Sequence, residues 1–222
     1  MLGINGECIH GGVGAWSLPV NGKPGDWMPQ LTGKLVPCSY GYHVLTFEQL
    51  VIWLGPTIWR IEISGRPLLD GDTHIVARAR LLSRIAQWTE KTARLFAADC
   101  AEHVLPIFEK QYPHDNRPAN AIKAARRYAN LTIGNEERAA ARNAARYAAW
   151  GSHGDIIWAA KVGGVWDAAI AAAEAAGEAA AAAAGDAASG IAAAAVWAAR
   201  IAAGQSEQKW QVTKLQEYLI NE

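Results

Sequence analysis

Residues 139–203 are about half alanine, interrupted by glycines, scattered charges, tryptophan and a few other aliphatic and polar residues. Alanine freezes no side-chain rotamer on entering a helix and heads the helix-propensity scale. Such a stretch is expected to be helical, with little side-chain volume and almost no chemistry of its own. Glycines divide it into three expected helices, with breaks near Gly151 to Gly154, Gly163-Gly164 and Gly185 to Gly190. Helices with alanine faces can approach to about 8 Å between axes, where backbone contacts replace side-chain ones. The same flat faces suit a second copy of the chain, so a homo-oligomer is expected.

The rest of the composition narrows the function classes. Lysine plus arginine balance aspartate plus glutamate at 21 each, so no general attraction to long nucleic acid or to an anionic membrane is expected. The tract carries Glu174, Glu178, Asp186 and Arg200 among weakly hydrophobic alanines, which argues against a transmembrane span. Cys8, Cys38 and Cys100 are too few and too scattered for a disulfide framework or a four-cysteine zinc site. No basic segment followed by an apolar one opens the chain, so no secretory signal is expected and the cytoplasm is the default compartment.

Residues 1–71 hold twelve of the glycines and six of the nine prolines. Short apolar runs between these breakers read as strands over roughly 7–10, 34–38, 42–45 and 58–64. Thr46 with Gln49 three residues on predicts a capped helix that ends at Gly55-Pro56. From about residue 74 the period becomes helical, with Leu81, Ile85, Trp88 and Leu95 on one stripe and Phe96, Cys100, Val104 and Ile107 extending it. Pro106 is expected to kink or restart that helix. Asp115-Asn116-Arg117-Pro118 predicts a new start running to Ala129, and Asn135-Glu136-Glu137 another. Ser206 is expected to cap a last helix bearing Trp210, Val212, Leu215 and Leu219. The fold class expected is α+β: a small mixed β domain over 1–73, packed on a larger Ala-rich antiparallel helical bundle over 74–222.

Chemistry falls to a few residues. His10 stands at a strand end beside Gly11-Gly12, and Tyr42-His43 opens another strand, so two imidazoles and a phenol are candidates for one mouth. The alternative is polar strand ends bonded to loops. Trp16, Trp27, Trp53 and Trp59 supply core to a region short of Leu, Ile and Phe, and Trp16 is a candidate to stack on a planar ligand. Arg138, Arg142 and Arg146 recur every fourth residue, with Arg126 and Arg127 before them. They form either a forked phosphate or acidic-partner site or a solvated face paired with nearby acids. Arg80 and Arg84, one helical turn apart, and Arg78 repeat that choice. Cys8 and Cys38 match no standard metal spacing, so neither metal nor cofactor is expected, and no P-loop, dinucleotide fingerprint, nucleophile elbow or His-Glu-x-x-His motif occurs.

The run Ala101-Glu102-His103-Val104-Leu105-Pro106 through Asp115-Asn116-Arg117-Pro118 and Ala121-Ile122-Lys123-Ala124-Ala125-Arg126 resembles a helical family of immunity proteins. Members of that family follow such a segment with an Ala-rich helical tail ending in a Trp-bearing helix. Lys209-Trp210 through Tyr218-Leu219 corresponds to that tail, and the resemblance covers roughly 94–220. It implies neutralising a toxin or another element of bacterial conflict, and no catalytic residues. Cys38-Ser39-Tyr40-Gly41-Tyr42-His43, then Phe47 to Leu54 and Trp59 to Gly65, resembles a small bacterial and phage domain. The order of His10-Gly11, a Gly-Tyr strand, a helix and a strand is remotely similar to ADP-ribosyltransferases. In those enzymes a His and a Tyr hold NAD and a later-strand Glu drives transfer, which points to His10, Tyr42 and Glu62. The chain departs from that pattern, because it is expected to turn helical after residue 73 and Glu62 comes early.

Three readings follow. The first is a non-enzymatic binder that captures a protein toxin, a defence protein or a small signalling nucleotide. The second is an NAD-using transferase, and the third a structural homo-oligomer.

Overall fold

A computed structural model of the chain describes residues 2–9, 14–37, 39–151 and 188–220. His10, Cys38 and the glycine breaks from Gly154 to Gly185 lie outside the described residues, so the expected three-helix division of the tract does too. The chain divides into two compact units, Met1–Trp88 and Thr89–Glu222. The architecture is α+β, with the strands in the first unit and the long helices in the second.

The first unit contains β1 (Tyr42–Val44), α1 (Phe47–Leu50), β2 (Trp59–Ser64), β3 (Leu68–Asp70), β4 (Thr73–Val76) and β5 (Arg78–Arg84). One antiparallel sheet has the order β1-β4-β3, and a second pairs β2 with β5. Expected strands at 42–45 and 58–64 are present, but 7–9 and 34–37 make only isolated bridges, such as Glu7 with Ala15 and Val36 with Tyr40. The helical period expected from residue 74 is corrected: Leu81 lies in β5, and the long helix begins only at Glu90. Leu81, Ile85 and Trp88 mimic a helix stripe by their spacing, whereas burial follows the strand period of two, with Ala79 and Leu81 inside. A register shift between Arg60 and Ile61 bends the β2–β5 ladder.

Its core gathers Trp16, Val44, Val76, Ala79 and Leu81, with Tyr42, Trp59, Ile61 and Ile63 packed against them. Large side chains do the filling. The free edge of β5 is covered by irregular chain, since the backbone N–H groups of Gly25, Met28 and Leu31 donate to the carbonyls of Leu81, Ala79 and Ala77 at 2.9–3.0 Å. That contact satisfies an edge that would otherwise recruit another strand. Gly6 is required where the Trp16 segment crosses, because at φ +80° an added Cβ would sit 2.5 Å from the Trp16 carbonyl oxygen. Thr46 opens α1 as expected, its N–H donating to Gln49 Oε1 at 2.9 Å, but the helix ends at Leu50 rather than at Gly55.

The second unit contains α2 (Glu90–Gln111), α3 (Arg117–Ala129), α4 (Asn135–Gly151), α5 (Ala188–Ala203) and α6 (Gln205–Ile220). Helix α2 lies against α3, α5 and α6, while α3 meets α4 and α5 meets α6. Thr89 caps α2 by accepting from the Thr92 N–H at 3.2 Å. Pro106 does not restart the helix, which runs through it to Gln111. Helix α3 begins and ends as expected, with Pro118 in its first turn and Arg117 N–H donating to Asp115 Oδ1 at 3.0 Å. Ser206 lies inside α6 rather than capping it; Gly204, at φ +74°, separates α5 from α6. Gly151 is the last residue of α4, and Gly190 lies within α5.

Alanine fills the contacts of this unit. Ala93, Ala97, Ala98 and Ala101 of α2 and Ala192, Ala195 and Ala199 of α5 are buried, with Phe96, Val104, Phe108 and Val196 supplying volume. Each alanine buries little area, so the favourable term is close backbone approach more than transfer of large side chains.

Candidate functional site

In the first unit Trp16 and Tyr42 meet edge to face at 5.6 Å between ring centroids. The Tyr42 hydroxyl donates to the Pro29 carbonyl at 2.9 Å, and burial pushes its phenol above the ordinary value. His43 follows Tyr42 on β1 and is exposed while Val44 is buried, so the imidazole and the phenol leave opposite faces of the strand. Trp16 is therefore brought to Tyr42, and His43 is not; His10 lies outside the described residues. Arg78, Arg80 and Arg84 are strand residues, not a helical stripe. Arg78 and Arg80 place their guanidiniums 4.8 and 4.6 Å from the Trp27 ring centroid, and Arg80 also pairs with Glu62 at 2.6 Å. Strands do follow residue 73, but β4 and β5 carry no glutamate.

In the second unit Arg138 is buried, at 3% exposure, with its guanidinium 4.8 Å from the Tyr128 ring centroid. Arg94 reaches the same ring at 4.8 Å and holds Glu90 through Nη2 at 2.8 Å. Tyr128, Asn135, Glu136, Arg138 and Ala139 line a shallow, open groove of ≈ 520 Å³. Arg142 stands one turn further along α4, half-buried; the side chain of Arg146 lies outside what is described. Arg126 binds Asp99 Oδ1 at 2.6 Å and Glu102 Oε2 at 2.5 Å, and Arg127 binds Glu137 at 2.6 Å. These two arginines follow the alternative of a face paired with acids.

The residues that spacing did not reveal form a polar network between α2 and α6. His103 Nδ1 and Glu207 Oε2 share a 2.6 Å hydrogen bond, and Gln211 Nε2 donates to Glu207 Oε1 at 3.2 Å. The Trp210 ring stacks on the imidazole at 3.9 Å with 5° between planes. The Glu207 side chain has no exposed surface, and burial raises its carboxyl above the ordinary value against the opposing pull of His103. Beside it, burial and then the Glu207 and Asp99 carboxylates push the buried Cys100 thiol well up. The Tyr218 hydroxyl donates to Asp99 Oδ2 at 2.8 Å, and Lys214 stands 3.5 Å from the same oxygen. Asp99 thus ties α2 to α3 through Arg126 and to α6 through Tyr218.

This arrangement spends its charges on fastening helices to one another. Among the described residues no three His, Cys, Asp or Glu side chains gather as a metal site, and no helix is long and apolar enough to cross a membrane.

The class these features define is a small β-rich unit followed by an alanine-packed helical unit braced by internal ion pairs. A family model described as Imm-5 like putative immunity protein matches residues 83–218. The chain belongs to that family. Comparison with curated proteins and with solved structures gave no significant match. The matched region begins at residue 83, so it does not extend to the residues that carry the resemblance to the bacterial and phage domain or to ADP-ribosyltransferases.

Proposed function

We propose that this chain is a non-enzymatic immunity protein whose helical unit binds and neutralises a protein toxin. The family match over residues 83–218, which spans the helices from α2 into α6, carries the reading. The internal pairing of Asp99, Arg126, His103 and Glu207 supports it, because a scaffold held in one geometry offers a preorganised surface to a partner. A small nucleotide at Arg138 is disfavoured. The Tyr128 ring already carries two guanidiniums, and the groove beside it includes the carboxylate of Glu136, which opposes a phosphate. An NAD transfer centred on Glu62 is disfavoured as well, since Arg80 holds that carboxylate.

The test is growth rescue in a bacterial host. Each product of the genes flanking this one is expressed alone and together with the chain. Relief of the toxicity of one flanking product, with formation of a complex of the two purified proteins, is the expected result. Rescue of none of them contradicts the proposal.

A further inference from the structure

Helix α5 turns two large apolar side chains outward. Ala192, Ala195, Val196 and Ala199 are buried, while Trp197 and Ile201, at i and i+4, are both 59% exposed. Ala194 continues the same outward face. Large apolar side chains normally occupy the interior, so Trp197 and Ile201 leave an apolar ridge facing outward.

A charge sits beside the ridge. Arg200 is the only charged residue of α5, and its guanidinium lies 5.8 Å from the Trp197 ring centroid. It donates through Nη2 to Gln208 Oε1 at 3.2 Å. Among the described residues no carboxylate pairs with this half-buried guanidinium, which leaves its interactions incomplete. Tryptophan and arginine are also the side chains most often found to dominate binding energy at protein interfaces.

We infer that the Trp197–Ile201 face of α5 is the docking surface for the toxin, which presents an apolar patch containing a carboxylate that reaches Arg200. This rests on the immunity reading and names its surface. Charge decides between the occupants. A second copy packed face to face would set Arg200 near Arg200, with no acid on α5 to receive either, whereas a different protein can supply the missing carboxylate.

The experiment uses the full chain and the flanking-gene product that it rescues. Affinity is measured by titration calorimetry for the wild type, for Trp197→Ala combined with Ile201→Ser, and for Arg200→Ala and Arg200→Lys. The double variant should bind at least about tenfold more weakly and lose rescue, as expected for truncated interface anchors. Arg200→Ala should weaken binding, with Lys restoring part of it. Helical circular dichroism and the melting temperature of the free chain should change little, because both apolar side chains are exposed. Unchanged affinity in the double variant overturns the inference and leaves the immunity reading standing. A large fall in the melting temperature of the free variant also overturns it, since the face would then be covered within the chain. A wild-type dimer that the double variant dissolves, measured by sedimentation, overturns it in favour of a second copy. Failure of the wild type to rescue any flanking product overturns both.

Discussion

The two units reach stability by opposite routes. The first fills its core with Trp16, Leu81, Val44 and Val76, and leaves its irregular segments to be tied down by backbone hydrogen bonds to β5. The second places Ala97, Ala98 and Ala101 where a bundle would ordinarily bury leucine, and keeps its polar groups in pairs between helices. The first unit is therefore sensitive to lost volume, and the alanine contacts of the second to added volume. The proposed docking side chains, Trp197 and Ile201, lie on the second unit.

Substitutions can break that comparison. Leu81→Ala in the first unit should cost roughly 2–5 kcal/mol, the usual range for a large-to-small change at a fully buried site. Ala101→Leu in the second should cost roughly 1–3 kcal/mol by overpacking, although it adds apolar area. Denaturant unfolding, followed by hydrogen exchange in peptides of each unit, measures both. If Ala101→Leu were neutral or stabilising, the close packing of α2 would be wrong.

The polar network sharpens the comparison further. Tyr218→Phe removes the donor to Asp99 and should cost about 1 kcal/mol, because Arg126 still satisfies the carboxylate. Glu207 gives a pH signature. Its folded carboxyl titrates above the ordinary value of 4.5, so its contribution to stability is complete below the unfolded value. That contribution is lost as pH rises through the folded value. Glu207→Gln keeps an acceptor for His103 and should flatten this part of the melting-temperature profile from pH 4.5 upward. An unchanged profile would show that the carboxyl is not desolvated.

The smallest effect expected is at Leu131, two residues beyond α3, where φ is +57° and the side chain is 89% exposed. Leu131→Gly should stabilise by about 0.5–1 kcal/mol, as left-handed strain is relieved with no packing lost.

Local signals were legible where one turn of chain holds all the information. Thr46 with Gln49, and Asn116-Arg117-Pro118 with an end at Ala129, are set by capping chemistry within a few residues. The β4–β5 segment was not, because Leu81, Ile85 and Trp88 satisfy a helical spacing by coincidence while Ala79 and Leu81 obey the strand period. The candidate site was legible only in part. Trp16 and Tyr42 do meet, and Arg138 does line a groove. The pair His103 and Glu207 lies 104 residues apart, and Asp99 and Tyr218 lie 119 apart. No periodicity links such residues; only the packing of α6 on α2 does.

Hydrogen exchange of the full chain with and without the rescued flanking-gene product tests the central claim most directly. The account predicts that protection on complex formation falls in the helical unit, with α5 over Ala188–Ala203 the most affected. Protection confined to residues 2–88 would contradict it.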